Sequence, residues 1–484
     1  MNFTLLSSAS NQKNNAGGNT FTLDKWKRLE RFLILGVDGG TFYVTPQKHA
    51  FDNAECVRDC VAEDPTRAVN MAVDVSVNGR AAKNDPAIYV LAMASKHSVA
   101  LDAMPLVCRT ATHLFHFLEF SKQVRGWGNA YKRAITKWYE TKSDGEVAYQ
   151  FIKYRQRDGW THRDVFRKIR PKSDREVYKW LFGNLASKPE LLMLQAYGQV
   201  STATTVEEVL DGLATYNLPW ECVPTQFLND PRVWERLEIP YTAYLRNLPR
   251  FANIGYRVDP QRLLNVDNKV HPMALLNALT IYSSGRSRNL TFTSEYAVRA
   301  ALEEAFYKSF ANVPLSDKRT LLALDVSGSM SMQCSGAAFS CAMGSCAMAL
   351  VTARRNSNVM LTAFSDVLRQ LNPESANYTL EQMLQYTRKI TFGGTDCALP
   401  MLEAKNANVP VDTFVIYTDN ETWAGAVEPY IALEQYRAHS GIDSKLVVVA
   451  MTATPFSIAN PNDPGMLDVV GFDTTTPQVI NSFV

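Results

Sequence analysis

The sequence lacks the spacing of a zinc site: its eight cysteines include no C-x-x-C pair, and no histidine lies at zinc-finger spacing. A disulfide framework is not indicated either, so we expect buried free thiols in a reducing cytosol. A secretory signal is also missing, because residues 1–20 are rich in Asn, Ser and Gly and have no apolar core. These absences predict a cytoplasmic protein, nuclear as well if its host is eukaryotic.

The uncharged run at residues 326–353 raises the question of a membrane span. Its many small residues and its position directly after a polar loop favour a core helix packed against a sheet. We therefore expect no membrane partner.

Neither sign of charge dominates the chain, whose formal net charge is +2 over 484 residues. That length predicts two or three domains. The charge is uneven, however, because residues 151–180 contain ten basic and four acidic side chains, a net +6 that leaves −4 for the remainder. One basic patch on a slightly acidic protein is an electrostatic footprint for a polyanion.

Aromatic side chains lie among these charges: Tyr154, Trp160 and His162. Aromatic planes beside guanidinium groups suit single-stranded or looped RNA. The alternative is an ordinary solvated helix face on which the acids pair with the bases.

The first two thirds of the chain have helical periodicity. Residues 23–35 place Trp26, Leu29 and Phe32 on one face, with Arg31 among the charged residues of the other. From residue 53 to about 310, amphipathic stretches alternate with breaks at proline or Asx-Pro, including Pro105 and Pro249. Paired helices of this kind suggest an α-solenoid of the HEAT type, although an irregular all-α domain remains the alternative.

A boundary near residues 312–319 divides the chain. We predict a disordered leader at 1–20, an α-helical repeat domain at 21–318 and an α/β domain at 319–484. In the last of these, strands at 321–324, 359–364, 413–417, 446–450 and 469–471 alternate with helices at 337–354, 380–388 and 427–439. Such alternation predicts a parallel sheet with helices on both faces and ligands beyond the carboxyl ends of its strands.

Oxygen-bearing side chains follow two of those strands. Asp325, Ser327 and Ser329 form a D-x-S-x-S loop after the first strand, and Asp419 follows a later one. Thr395 lies in a glycine-rich loop between them. Carboxylate and hydroxyl oxygens suit Mg²⁺ or another divalent cation, which prefers an octahedron of oxygen ligands and keeps several waters. The alternative is a set of helix N-caps, for which these residue types are also favoured.

These patterns resemble the Ro ribonucleoprotein autoantigens, which combine a TROVE domain with a von Willebrand factor A domain. The most specific matching motifs are KYRQRDGWTHRD at 153–164, D-x-S-x-S at 325–329, GGTDCALPM at 393–401 and YTDNETW at 417–423. The resemblance implies a ring of helical repeats closed by an A domain with a metal-ion-dependent adhesion site. That site carries over as Asp325, Ser327, Ser329, Thr395 and Asp419.

The resemblance also implies the partners. Small non-coding Y RNA would bind the outer surface, and single-stranded 3′ ends of misfolded RNAs would enter the hole, for RNA quality control and small-RNA stabilisation. The candidate RNA-binding residues are Lys153, Arg155, Arg157, Trp160, His162, Arg163, Arg167, Arg170 and Lys172. An exoribonuclease is a candidate partner of the protein, which we expect to be monomeric.

Two further classes of function are alternatives to RNA binding. In a divalent-metal-dependent protein-interaction module, an acidic residue of a partner would complete the shell of the cation. An enzyme, such as a metal-dependent nuclease, is disfavoured because two-metal sites need clustered carboxylates, whereas this loop supplies mainly hydroxyls.

Overall fold

The computed structural model describes residues 12–36, 46–184, 189–266, 270–310, 316–334, 337–390, 393–472 and 476–483. A helical part runs to residue 310, and an α/β domain begins at residue 316. The helices of the first part are α1 (Lys25–Leu35), α2 (Pro46–Glu63), α3 (Pro65–Val77), α4 (Asp85–Met93), α5 (Ser98–Val107), α6 (Ala111–Ser121), α7 (Asn129–Glu140), α8 (Asp144–Lys153), α9 (His162–Ile169), α10 (Glu176–Leu181), α11 (Leu192–Thr202), α12 (Val206–Thr215), α13 (Pro231–Arg236), α14 (Tyr241–Ile254), α15 (Pro260–Leu264), α16 (Pro272–Ser284) and α17 (Tyr296–Lys308). Its short strands are β1 (Gln12–Lys13), β2 (Asn19–Thr22), β3 (Gln156–Arg157), β4 (Trp160–Thr161), β5 (Arg286–Ser287) and β6 (Leu290–Thr291).

Most predicted breaks coincide with helix starts. At α3, for example, the Asp64 side chain accepts a hydrogen bond from the Arg67 amide while Pro65 occupies the first helical position, where no donor is needed. Two predicted breaks are wrong, because Pro105 lies inside α5 and Pro249 inside α14. A proline removes one backbone donor, and the packing of the rest of the helix outweighs that loss.

The helical array begins and ends on the α/β domain. At its start, Arg31 of α1 is buried and donates to the carbonyl oxygens of Thr454 and Phe456. At its end, the Asn277 side chain on α16 accepts from the Ala338 amide. The first and last parts of the array also meet each other, through the His271 imidazole and the Arg80 carbonyl oxygen, 3.1 Å apart. The array is therefore closed.

The α/β domain contains a six-stranded sheet in the order β13-β11-β10-β7-β8-β9. Its elements are β7 (Thr320–Asp325), α18 (Cys341–Ala353), β8 (Val359–Phe364), β9 (Leu368–Gln370), α19 (Leu380–Thr387), α20 (Leu399–Asn406), β10 (Thr413–Thr418), α21 (Pro429–Ser440), β11 (Lys445–Ala450), β12 (Phe456–Ser457), β13 (Met466–Val470) and α22 (Thr476–Phe483). The predicted strands and helices are confirmed, with small shifts at their ends.

The sheet is mixed and not wholly parallel, which differs from the prediction. Five strands are parallel, but β9 pairs antiparallel with β8 at one edge. Only three residues, 365–367, connect these two strands. So short a connection allows a hairpin but not the crossover that a parallel strand needs.

The predicted disordered leader is wrong for its described part. Residues 1–11 lie outside the described residues, but residues 12–22 form the hairpin β1–β2. Strand β2 pairs antiparallel with β12 of the α/β domain, Phe21 opposite Ser457 and Thr22 opposite Phe456. The polar composition that predicted disorder belongs to the turn of this hairpin. The strand that pairs with the hairpin, β12, lies more than 400 residues later in the chain.

All eight cysteines are buried free thiols. Within the described part of the chain, every helix falls short of the length or apolar character needed to cross a bilayer. The uncharged run at 326–353 contains most of the D-x-S-x-S loop and helix α18, most of whose side chains are buried.

Candidate functional site

Two neighbouring strands bring the predicted metal ligands together. Strand β7 ends at Asp325, and the adjacent parallel strand β10 ends at Thr418, directly before Asp419. Because Leu324 pairs with Tyr417, the two aspartates emerge at the same edge of the sheet. Both are almost fully buried, with exposed fractions of 1% and 3%.

Hydrogen bonds fix the D-x-S-x-S loop. The Ser327 amide donates to Asp325 Oδ1 at 2.9 Å, and the Thr418 hydroxyl donates to Asp325 Oδ2 at 2.7 Å. The hydroxyl oxygens of Ser327 and Ser329 lie 3.1 Å apart, and Ser329 bonds the Asp419 carboxylate. Adjacent ligands of an octahedral Mg²⁺ at about 2.1 Å lie about 3.0 Å apart, so this separation suits two neighbouring coordination positions.

The glycine-rich loop brings Thr395 to the same place. Thr395 is buried, and its carbonyl oxygen accepts from the amides of Trp423 and Ala424 and from the Thr422 hydroxyl. A side chain at Gly394 would lie 2.6 Å from the Ala424 Cβ, so a glycine is required for this close approach. The loop that follows Asp419 therefore holds the loop that carries Thr395.

The electrostatic character of the site is set by buried carboxylates. Burial raises the pKa of Asp325. Burial, followed by the charges of Asp325 and Glu421, raises the pKa of Asp419 to about 8. In the part of the chain that the structure describes, no group of three or more His, Cys, Asp and Glu forms a metal cluster. The donor set is thus two carboxylates and three hydroxyls, all oxygen, which fits a hard divalent cation.

The predicted RNA-binding segment begins with a hairpin, in which β3 pairs with β4. Its turn residues, Asp158 and Gly159, both have positive φ, +51° and +78°, as a two-residue type I′ turn requires. The turn leaves Arg155 and Arg157 exposed. The side chain of Arg157 is 57% exposed and lies 3.8 Å from Asp158, whereas Arg155 donates to the Tyr197 hydroxyl.

Helix α9 continues this surface. A capping box starts it, because the Thr161 hydroxyl accepts from the Asp164 amide and the Asp164 carboxylate accepts from the Thr161 amide. One face buries Val165, Phe166 and Ile169. The exposed cations on and beyond the opposite face, together with those of the hairpin, are Arg155, Arg157, Arg163, Arg167, Lys168, Arg170 and Lys172, which we call the basic surface.

Two predicted RNA-binding side chains do not lie on this surface. Trp160 is 8% exposed and donates from its indole nitrogen to Glu119. His162 is 2% exposed; its Nε2 lies 3.1 Å from the carbonyl oxygens of Gln150 and Tyr154, and its Nδ1 lies 2.9 Å from the Tyr139 hydroxyl. Burial lowers the pKa of His162 to about 4, so the imidazole is neutral at physiological pH.

These two side chains therefore lie beneath the basic surface. His162 packs edge-on against Phe115 and Phe151, with ring centroids 5.0 and 4.7 Å away. Lys153 is intermediate, since its side chain is 13% exposed and its ammonium donates to the Tyr149 hydroxyl. The sequence does not show which of these side chains is buried, because about half of the residues in this segment are charged.

The sequence patterns do not mark every residue of the two candidate sites. Lys168 belongs to the basic surface, and only the charge of the segment points to it. Thr418 and Thr422 hold two of the candidate ligands, since their hydroxyls donate to the Asp325 carboxylate and to the Thr395 carbonyl oxygen. In the sequence, only their closeness to Asp419 points to this role. Closeness alone does not distinguish a hydroxyl that holds a candidate ligand from one that does not.

Comparisons with known proteins match both parts of the chain. The TROVE domain model matches residues 12–212, and the Ro60 vWA domain model matches residues 319–484. A protein named RNA-binding protein RO60 from Deinococcus radiodurans is 38% identical, over 97% of this chain and 94% of its own. One of the same name from Caenorhabditis elegans is 32% identical, over 98% of this chain and 90% of its own. The crystal structure of the Deinococcus radiodurans RO (RSR) protein superimposes with a TM-score of 0.72 at 37% identity, over 95% of this chain and 99% of that one.

Proposed function

Because the chain belongs to the Ro family of TROVE and von Willebrand factor A domain proteins, we propose that it is an RNA-binding protein of the Ro type. The relatives are named for RNA binding and not for an enzymatic activity. The observation that carries the proposal is the basic surface: seven exposed cations on and beside one hairpin and one helix, which is anchored by its buried apolar face. A rigid array of cations matches the spaced phosphates of a polyanion.

The finer proposal concerns the RNA and its fate. A small non-coding RNA of the Y type is the proposed ligand of the basic surface, and single-stranded 3′ ends are the proposed ligands of a hole in the closed array. Quality control and stabilisation of RNA follow from holding such ends, with an exoribonuclease as a proposed partner. The protein is proposed to act as a cytoplasmic monomer. Trp160 and His162 would position the surface from beneath.

The test removes three exposed charges, in a variant with Arg157, Arg167 and Lys172 changed to Gln. Arg157 and Arg167 have side chains 57% and 69% exposed, so their loss should leave the fold intact. Each lost phosphate contact should reduce the slope of log Kd against log salt by about 0.7 in a single-stranded loop and about 0.9 in a duplex stem, hence by about 2–3 in all, with a loss of affinity of about 100-fold or more at about 0.1 M salt. Fluorescence anisotropy with a labelled stem-loop RNA measures both.

The control removes the same charge elsewhere, by changing Lys96, Arg369 and Lys389 to Gln; all three are exposed cations outside the basic surface. We expect its salt slope to match that of the unmodified protein. Equal losses in the two triple variants would mean that net charge, and not this surface, attracts the RNA.

A second function is favoured by the oxygen cluster. Asp325, Ser327, Ser329, Thr395 and Asp419 are proposed to hold Mg²⁺ or another divalent cation, since all five are buried at one sheet edge and supply only oxygen donors. A bound cation would offer a coordination position to an acidic residue of a partner protein. This chain's own part is to hold the loops in place, which Thr418 and Thr422 do.

Asp325→Ala tests the metal site. Loss of a carboxylate ligand should abolish Mn²⁺ binding, followed by electron paramagnetic resonance, while RNA affinity stays near that of the unmodified protein because the basic surface lies on another domain. Unchanged Mn²⁺ binding would refute the ligand assignment. Loss of RNA binding in a folded variant would show that the two sites are coupled.

A further inference from the structure

The segment at residues 12–22, the N-terminal hairpin, is built into the α/β domain although it precedes the whole helical part. It forms a three-stranded sheet in the order β1-β2-β12. Phe21 is buried and packs edge-on against Tyr430, with ring centroids 5.2 Å apart. Backbone pairing and apolar burial therefore dock the hairpin independently of its turn.

The turn of the N-terminal hairpin contacts the segment that directly follows strand β10. We call this segment, residues 419–424, the Asp419 loop. Asn14, 6% exposed, donates from Nδ2 to the carbonyl oxygens of Asn420 at 3.2 Å and Thr422 at 2.6 Å. Its Oδ1 accepts from the Gly18 amide at 2.8 Å, which closes the turn. Asn15 donates to Glu421 Oε1 at 2.7 Å.

Gly18 allows this close contact between the turn and the Asp419 loop. A Cβ at this position would lie 1.7 Å from the Thr422 carbonyl oxygen, a contact that no side chain can make. The backbone of the turn thus rests directly on the Asp419 loop. The same loop carries Asp419 at one end and bonds the Thr395 carbonyl oxygen through Thr422, Trp423 and Ala424.

We propose that Asn14 is a positioning residue of the metal site, acting through the Asp419 loop to fix Asp419 and Thr395, two of its five ligands. The inference rests on the proposed divalent-cation site. Loops that present ligands gain affinity when they are held in the bound geometry, because the cation then does not have to order them. The N-terminal hairpin supplies that restraint from the far end of the chain.

The test compares Asn14→Ala and Gly18→Ala with Asn19→Ala in the full-length protein. Asn19 lies in the same hairpin, but its side chain donates to the half-buried Glu428 and not to the Asp419 loop, so it is a matched control. Loss of the Asn14 bonds should weaken Mn²⁺ binding about fivefold or more, the scale of a buried hydrogen bond. Gly18→Ala should also weaken Mn²⁺ binding, because its Cβ would clash with the Thr422 carbonyl oxygen and displace the turn from the Asp419 loop. Asn19→Ala should bind Mn²⁺ as the unmodified protein does.

Amide hydrogen exchange of residues 420–424 supplies a readout that needs no metal. We expect faster exchange in Asn14→Ala and Gly18→Ala, and no change in Asn19→Ala, with the circular dichroism spectrum showing that each variant is folded. If a folded Asn14→Ala protein binds Mn²⁺ as tightly as the unmodified protein, the positioning role of Asn14 is refuted, whereas the proposed metal site is not. Absence of Mn²⁺ binding in the unmodified protein would overturn both. Equal weakening by all three variants would also overturn it, because docking alone would then account for the effect.

Discussion

The buried ion pair between Arg31 and Asp468 is the point at which the stability of the whole chain should be most sensitive. The Arg31 side chain is 1% exposed, and its Nη2 lies 2.5 Å from Asp468 Oδ1. Its Nη1 donates to the carbonyl oxygens of Thr454 and Phe456. One side chain of α1 thus donates to four acceptors of the α/β domain, because its Nη1 also lies 3.2 Å from the Thr454 hydroxyl.

Replacing Arg31 with Met keeps most of the side-chain volume but leaves the Asp468 carboxylate and two carbonyl oxygens without this donor. Removing one partner of a buried pair costs about 3–5 kcal/mol, because the Asp468 carboxylate loses its counter-charge and, among the residues that the structure describes, keeps only the Ser457 hydroxyl as a donor. We expect this cost to fall on the contact between the two parts of the chain. Urea unfolding followed by circular dichroism should then separate into two transitions, since the parts no longer unfold together.

Two further variants sharpen the result. Arg437→Met breaks a comparable pair with Asp463, 2.6 Å, within the α/β domain, and should destabilise that domain without separating it from the helical part. Adding Asp468→Asn to Arg31→Met removes the unpaired charge and should restore about 1–2 kcal/mol. A cost below about 1 kcal/mol for Arg31→Met, or no recovery in the double variant, would refute the reasoning.

Two other predictions concern the two functional sites. The pKa of His162 is about 4 in the folded protein and about 6.5 when unfolded, so the unfolded chain binds a proton between these values and stability is lost as pH falls through this window, by up to about 3 kcal/mol. His162→Gln should therefore show a shallower fall in the free energy of unfolding from pH 7 to 4; an identical fall would contradict the assignment. Gly394→Ala should weaken Mn²⁺ binding, because its Cβ would lie 2.6 Å from Ala424, whereas Gly328→Ala, with nothing within 4 Å, should not. Equal Mn²⁺ affinity of the two variants would argue against the role of the Gly394 approach.

The sequence by itself determined the α/β domain and the positions of its candidate ligands. Short apolar runs alternating with helices admit few arrangements, and parallel strands end at one edge of the sheet. The sequence alone therefore places Asp325 and Asp419 at one edge of the sheet. It also locates the basic segment, because charge is a property of composition. The helix at α1 was equally clear, because its apolar residues repeat with helical period.

Only the tertiary structure decided which polar residues are buried. Arg31 has the pattern of a solvated cation, and His162 lies among charges, yet both are enclosed by partners distant in sequence. The same applies to residues 12–22, whose composition predicted disorder and whose order comes from β12 and the Asp419 loop. Local pattern reports which face of an element is apolar, whereas burial of a polar group depends on a hydrogen-bonding partner that only the folded chain brings near.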